Sequence, residues 1–138
     1  MDWKKLTTDT KQSFSKFKKA TPVTFEGFEV MGKDAKKDGH LSTKTKEFIA
    51  LGISVAVRCE SCIGLHVEHL VHLGATREEL VEALSMSSYM GGGPSLTYSA
   101  KALEAFDQLS NYPSLNLMAY ASEVCCFQPF LCSSKHNI

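Results

Sequence analysis

Along residues 1–109, apolar and polar positions follow the period of an α-helix, and no convincing strand pattern interrupts them. Residues 5–19 place Leu6, Phe14 and Phe17 among lysines, which predicts a first amphipathic helix. In the run FIALGISVAV, at positions 48–57, apolar residues occupy every face, which is typical of a helix buried in a bundle or in an oligomer core. The pattern therefore predicts an all-α fold.

Capping residues and helix-breaking residues divide this pattern into about six helices. The boundaries fall at Thr21-Pro22, Asp38-Gly39 with Ser42, Cys59, Gly74 with Thr76, and Gly91 to Pro94. Thr76 and Glu79 have the spacing of a capping box, in which the two side chains satisfy free backbone N–H groups at a helix start. Because the connecting turns are short, we expect the helices to pack antiparallel in a single-domain bundle.

The helical pattern ends near Ser110. Residues 111–138 hold two prolines and three of the five cysteines, and they have no clean helical period. The sequence thus predicts one helical domain over residues 1–110 and a C-terminal tail over residues 111–138. The sequence leaves three alternatives for that tail: a β-like or irregular arm, a disordered end, or a segment of separate origin.

Composition and charge narrow the class of protein. With 138 residues, 43% hydrophobic and 22% charged, the chain can bury a core without disulfide staples, which excludes a disordered chain and a disulfide-scaffold miniprotein. Its net charge of zero argues against nucleic acid as a partner. Residues 1–46 carry a net +5 and residues 47–138 a net −5. A solvated lysine-rich surface explains the first half, and docking of an acidic partner or a neighbouring subunit is the alternative.

The expected location is the cytoplasm. The N-terminus MDWKKLTTDTKQ is polar and lacks the apolar core of a secretory signal. No run of about 18 uncharged apolar residues is present, so we expect no membrane partner. In an intracellular protein, a Cys-x-x-Cys pair is more often a redox or metal site than a structural disulfide.

The candidate chemistry lies in Cys59, Cys62 and His66. On a helix these three side chains share one narrow stripe, and Cys62 and His66 are neighbours one turn apart. The thiols stand at or near the helix N-terminus, where the dipole favours the thiolate and a nearby imidazole can take or donate the proton. One thiol can then resolve a sulfenic acid on the other as a disulfide. These ingredients suit a dithiol peroxidase or a thiol–disulfide oxidoreductase.

Three other interpretations of the motif stay open. A zinc site would use Cys59, Cys62, His66 and His69. One ion cannot gather four ligands spread over about 15 Å of an unbroken helix, which weakens this interpretation. A thioredoxin-like site needs a βαβ setting that the pattern lacks, and the thiols could also be half-buried and inert. His69 and His72 are expected at the surface or at an interface rather than in catalysis.

The stretch KTKEFIALGISVAVRCESCIGLHVEHLVHLGATREELVEAL, at positions 44–84, resembles the core of the carboxymuconolactone decarboxylase family. Its Glu-x11-Cys-x-x-Cys-x3-His spacing resembles the alkylhydroperoxidase D-like branch, and it is formed by Glu47, Cys59, Cys62 and His66. The resemblance covers about residues 20–109. It implies a helical domain that assembles as a homo-oligomer, a trimer or a hexamer. It also implies a peroxidase that reduces a small-molecule hydroperoxide with its two thiols.

The resemblance also implies roles for these residues. Cys62 would be the peroxidatic thiol and Cys59 the resolving thiol. His66 and Glu47 would form the proton relay that activates Cys62. The dipole argument alone favours Cys59 as the more acidic thiol, so the assignment follows the family and the position of His66 one turn away. An outside thiol or dithiol reductant would restore the pair, with no cofactor or metal required. Ser61 stands where alkylhydroperoxidase D has a second His.

Two other functions stay open. Decarboxylation of a lactone, or related acid–base chemistry on a small carboxylate, would use His66 and Glu47 without the thiols. Alternatively, the helices would form a non-enzymatic oligomeric module whose disulfide switches an interface. Activity that survives the loss of both thiols would favour the first, and fast disulfide formation without peroxide turnover would favour the second.

Overall fold

The structure, a computed structural model, describes residues 1–111, and all regular structure in them is helical. The elements are α1 (Trp3–Ala20), α2 (Pro22–Lys36), α3 (Thr43–Ala56), α4 (Glu60–His72) and α5 (Arg77–Ser110). The all-α prediction is confirmed. Apart from Asn111, the predicted tail lies outside the described residues. Within residues 1–111, no helix combines the length and the apolar character that crossing a membrane requires.

Helix α5 contains the fifth and sixth predicted helices, which meet at a kink. It runs for 34 residues and is kinked at Gly92, whose φ of 68° and ψ of −158° are not helical. Side chains rarely tolerate this backbone region, so the kink depends on glycine. Pro94 follows two residues later, at a point where the missing N–H of proline is tolerated as at a helix start. The predicted break at Gly91 to Pro94 is therefore confirmed, as a kink that separates two helical segments within α5.

Four of the five helices begin with a side-chain cap, provided by Asp2, Ser42, Cys59 and Thr76. The predicted capping box is confirmed, because Thr76 accepts the N–H of Glu79 and Glu79 accepts that of Thr76. Thr21 is the exception. Its hydroxyl donates to the carbonyl of Phe17 at 2.9 Å, so α2 begins at Pro22 without a side-chain cap.

Helices α3, α4 and α5 pack on one another, and α1 contacts both α4 and α5. These four helices bury a common apolar core, which includes Trp3, Leu51, Val55, Ile63, Val67, Leu70 and Leu80. Each such aliphatic side chain contributes about 1.5–3 kcal/mol by leaving water. Gly64 lets α1 approach α4, since a Cβ there would lie 2.9 Å from Thr7 Cγ2 and 3.4 Å from Trp3 Cε3. Helix α1 therefore packs directly on the helix that carries the cysteine motif.

A tight turn folds α4 back onto α3. The N–H of Cys59 donates to the carbonyl of Ser54 at 3.0 Å, and the N–H of Arg58 donates to that of Val55 at 3.2 Å. This pairing is the Schellman motif, and Arg58 takes the left-handed conformation, φ 60°, that usually falls to glycine there. The turn leads straight into Cys59, so the end of α3 fixes where the cysteine motif begins.

Part of the apolar surface of α3 is uncovered in the single chain. Ile49, Ile53 and Val57, spaced four residues apart, are each at least half exposed, and we call them the Ile53 stripe. Other exposed large apolar side chains lie on α2 and α5, and they include Phe28, Met31, Met86, Tyr89 and Met90. The buried location predicted for FIALGISVAV is thus confirmed for Leu51 and Val55, whereas the bundle leaves the Ile53 stripe in contact with solvent.

Candidate active site

Cys59 and Cys62 are bonded to each other at the N-terminus of α4, with their Sγ atoms 2.17 Å apart. Cys59 is the N-cap of the helix, and its Sγ accepts the backbone N–H of Cys62 at 3.2 Å. Both residues are partly exposed. The N–H groups of the first turn and the positive end of the helix dipole favour negative charge on either sulfur when the pair is reduced.

His66 lies one turn after Cys62 and pairs with a buried carboxylate from α3. Its Nδ1 is 2.6 Å from Oε2 of Glu47, whose side chain is 1% exposed. Burial raises the pKa of the Glu47 carboxyl, but the imidazoles of His66 and His69 outweigh this and hold that pKa well below its usual value. An ionised carboxylate only accepts hydrogen bonds, so Nδ1 of His66 is the donor. Nε2 of the neutral ring is then the acceptor and can act as a base.

A second imidazole stands beside the same carboxylate. His69 is buried, contrary to the surface or interface location predicted for it, and its Nδ1 lies 3.4 Å from Oε1 of Glu47. The rings of His66 and His69 meet edge to face, with centroids 6.3 Å apart. From α2, Lys36 brings its Nζ to 3.9 Å from Oε1. Three basic side chains therefore surround the Glu47 carboxylate.

The two residues between the cysteines are tied to neighbouring helices. Glu60 accepts a hydrogen bond from Lys101 of α5 at 2.5 Å. Ser61 accepts one from Thr10 of α1 at 3.1 Å. These contacts hold the first turn of α4 between α1 and α5. At position 61 the chain thus has a hydroxyl bound to a threonine instead of a second titrating imidazole.

The nitrogen and oxygen atoms of Glu47, His66 and His69 lie within 4.8 Å of one another, close enough to be considered as ligands of one metal ion. Zinc accepts such a set. With bonds of about 2.0–2.2 Å, however, tetrahedral zinc holds its ligand atoms about 3.3 Å apart. The 2.6 Å between His66 Nδ1 and Glu47 Oε2 is the distance of a short, charge-assisted hydrogen bond. The spacing thus fits a hydrogen-bonded relay better than a metal centre. The zinc set that includes Cys59 and Cys62 is not assembled either, since these sulfurs bond to each other.

The structure gathers the four predicted site residues on two adjacent helices. Glu47 meets His66 because the turn at Arg58 folds α4 back onto α3. Two neighbours of Glu47 were not predicted from the sequence. His69 follows His66 by three residues on the same helix stripe, and this spacing was the signal that could have found it. Lys36 offers no such signal, because it reaches the site from a separate helix.

A family model and a solved structure agree on one family, and uncharacterized relatives match over most of their length. The model of the carboxymuconolactone decarboxylase family matches residues 22–105, which include all four predicted site residues. An uncharacterized protein of Cupriavidus necator is 36% identical over 109 residues, which cover 79% of this chain and 96% of that protein. An uncharacterized protein of Haemophilus influenzae is 39% identical over 105 residues, which cover 76% of this chain and 93% of that protein.

A solved structure is similar as well. It is the crystal structure of an apo carboxymuconolactone decarboxylase family protein from Legionella pneumophila. The TM-score is 0.77 at 50% sequence identity, and the match covers 79% of this chain and 97% of that chain. Sequence and fold therefore point to the same family.

Proposed function

Because the chain belongs to the carboxymuconolactone decarboxylase family, we propose that it is a dithiol peroxidase of the alkylhydroperoxidase D-like type. In this proposal, Cys62 and Cys59 reduce a hydroperoxide, and an outside thiol or dithiol returns the electrons. The supporting observation is the bonded cysteine pair one turn before an imidazole that the buried Glu47 orients. The decarboxylation in the family name needs no thiols, so the cysteine pair favours the peroxidase.

The first step activates and oxidises Cys62. Nε2 of His66, with Nδ1 held by Glu47, takes the proton of the Cys62 thiol. The thiolate attacks the terminal oxygen of the hydroperoxide, a sulfur–oxygen bond forms, and the oxygen–oxygen bond breaks. The leaving alkoxide takes the proton from His66. One hydroperoxide has then become one alcohol, and Cys62 has become a sulfenic acid.

The second step closes the disulfide and consumes the outside reductant. The thiol of Cys59 attacks the sulfenic sulfur of Cys62, and the hydroxyl group leaves as water with the thiol proton. The bonded pair at the start of α4 corresponds to the product of this step. A dithiol then reduces the pair by exchange and becomes a disulfide itself, which restores both thiols.

Two opposed effects bear on which thiol reacts first. The N-cap position of Cys59 favours its thiolate, but a helix dipole contributes only about 0.3–1 kcal/mol at such a site. His66 stands one turn from Cys62, and a positioned base contributes about 100- to 10,000-fold in rate, or about 3–5 kcal/mol. The larger effect agrees with the family assignment of Cys62 as the peroxidatic thiol.

One equivalent of cumene hydroperoxide, added to reduced protein, tests the proposal. Mass spectrometry should find the loss of two hydrogens, mapped to a Cys59–Cys62 bond. Cys62→Ser should abolish consumption of the hydroperoxide, and Cys59→Ser should accumulate a sulfenic acid that dimedone traps. The matched control replaces the three tail cysteines, Cys125, Cys126 and Cys132, by Ser and should turn over like the wild type.

Other outcomes would replace the proposal. Equal hydroperoxide consumption by the wild type and Cys62→Ser would rule out a dithiol peroxidase. Activity on a small carboxylate that survives in the Cys59→Ser, Cys62→Ser double variant would instead favour acid–base chemistry by His66 and Glu47. Fast, reversible disulfide formation without turnover would favour a redox-switched module.

The proposal includes a cytoplasmic homo-oligomer, a trimer or a hexamer. In the cytoplasm, cellular reductants keep such thiols reduced. The exposed apolar side chains of the Ile53 stripe support assembly, because apolar residues grouped on one surface are typical of an interaction site. Association would bury this surface of α3, the helix that also carries Glu47.

A further inference from the structure

We propose that His69 is a third member of the relay, a positioning residue that holds the Glu47 carboxylate in place for His66. This inference rests on the proposed function and deepens it. Neither the motif nor the family resemblance assigns a role to His69. Three features of the site support this role: the placement of His69 beside the carboxylate, its burial, and the buried polar atoms that lack hydrogen-bond partners among the described residues.

The placement divides the carboxylate between two imidazoles. Oε2 of Glu47 is 2.6 Å from Nδ1 of His66, and Oε1 is 3.4 Å from Nδ1 of His69. Both rings therefore present the same nitrogen to the same group, one to each oxygen. His66 and His69 are three residues apart on α4, so one helix face carries both against α3.

Because both side chains are buried, the contact between His69 and Glu47 matters for their hydrogen bonding. The side chains of Glu47 and His69 are 1% and 7% exposed, and among the described residues neither Oε1 nor Nδ1 of His69 has a hydrogen-bond partner. A buried polar atom without a partner costs about 1–3 kcal/mol, and more when it is charged. A small shift would turn the 3.4 Å contact into an N–H···O bond and satisfy both atoms.

That bond would act on His66 through the carboxylate. With Oε1 held by His69, the carboxylate cannot rotate, and Oε2 stays on Nδ1 of His66. A fixed anion at Nδ1 keeps the reactive tautomer of His66 and makes its Nε2 a stronger base. The Cys62 thiolate would then form at lower pH than it would without His69.

Other charged groups border this cluster and belong in any account of its pH dependence. Lys36 of α2, whose side chain is partly exposed, stands 3.9 Å from Oε1. On the next turn of α4, His72 has its pKa lowered by partial burial and by the charges of His69 and Lys11, against the opposing charge of Glu68. Glu68 pairs with Lys11 of α1 at 2.7 Å.

The test measures the reactivity of the Cys62 thiol with iodoacetamide as a function of pH. The background is the full chain with Cys59→Ser and with the three tail cysteines also replaced by Ser, so that alkylation reports Cys62 alone. His69→Asn and His69→Gln form a matched pair, since the Asn amide nitrogen falls near Nδ1 and the Gln amide nitrogen falls near Nε2. His72→Gln is the control on the same helix.

His69→Gln should raise the pH midpoint of alkylation by about one unit, which is about tenfold in rate near neutral pH. His69→Asn should keep the midpoint of the parent protein, because it retains a donor to Oε1, and His72→Gln should keep it as well. A merely structural role would affect both His69 variants alike. An unchanged midpoint in His69→Gln, or equal shifts in the two amide variants, would overturn the inference.

A double-mutant cycle keeps the inference testable if one of the His69 variants is poorly folded. In a Glu47→Gln background, the change at His69 should no longer move the midpoint, because its effect passes through the carboxylate. A shift of the same size in both backgrounds would overturn the inference. Alkylation involves no hydroperoxide, so a protein that fails to consume peroxide can still give the expected His69 shift. The two proposals can therefore fail separately.

Discussion

Glu47 is the residue at which burial and charge meet in this site. Its carboxylate is withdrawn from water, yet two imidazoles and the more exposed Lys36 keep it ionised. Its pKa in the folded chain lies below the ordinary value of 4.5. Ionised Glu47 therefore stabilises the folded state above about pH 4.5, and this contribution is lost as the pH falls towards the lowered folded-state pKa.

Replacing Glu47 by Gln should remove this part of the acid sensitivity. At pH 7 the free energy of unfolding should fall by about 1–3 kcal/mol, because buried donors lose a charged acceptor. Between about pH 5 and pH 3, the wild type should lose more stability than the variant. Urea unfolding at several pH values measures both effects, with Glu26→Gln, an exposed acid on α2, as the control. Parallel stability profiles for wild type and Glu47→Gln would contradict this expectation.

At the scale of elements, the contact between α1 and α4 depends on the missing side chain of Gly64. Gly64→Ala would place a methyl group 2.9 Å from Thr7 Cγ2 and should lower the free energy of unfolding by about 1–3 kcal/mol, since α1 must move outward. Gly27→Ala, in the middle of α2, meets nothing within 4 Å and should raise it by about 0.5–1 kcal/mol. Thermal unfolding of the two variants tests the contrast, and a loss of stability in both would contradict it.

Helix boundaries were the part of the fold that local sequence could predict. Ser42, Cys59 and the Thr76–Glu79 box cap helices in the structure because a cap depends on residues within one turn. Thr21 occupies the predicted N-cap position of α2, but its hydroxyl bonds backward, to Phe17 of the preceding helix, and makes no cap. Gly92 ends the helical geometry as predicted, and a second helical segment of α5 follows it.

In the candidate site, too, local spacing predicted the positions within one helix, whereas contacts between helices depended on packing. Cys59, Cys62 and His66 share one helix, so their spacing alone placed them on one stripe. The contact of Glu47 with His66 needed the resemblance, because it depends on how α3 and α4 pack. The predicted surface or interface location of His69 was wrong for the same reason. Helical spacing gives the direction of a side chain, but it does not show which helix covers that side chain.

At the scale of the whole molecule, the opposite charges of the two sequence halves are partly paired within the fold. Lys11 of α1 contacts Glu68 of α4, and Lys44 of α3 contacts Glu79 of α5, each at 2.7 Å. Such partly exposed pairs contribute at most about 1 kcal/mol each. These contacts give the lysine-rich half internal partners, so an acidic ligand is not needed to explain it. The apolar side chains of the Ile53 stripe, in contrast, remain at least half exposed within the described part of the chain.

We expect copies of the chain to associate through the Ile53 stripe. If copies of the chain associate through it, Ile53→Asp would bury an unpaired carboxylate, which costs several kcal/mol per site, and should convert the oligomer to monomers. The variant should stay helical, because the fold of one chain leaves Ile53 59% exposed. Light scattering after size exclusion measures the mass, and Thr8→Asp, on the exposed face of α1, should leave it unchanged. A monomeric wild type, or an Ile53→Asp variant of undiminished mass, would show that this stripe is not the interface.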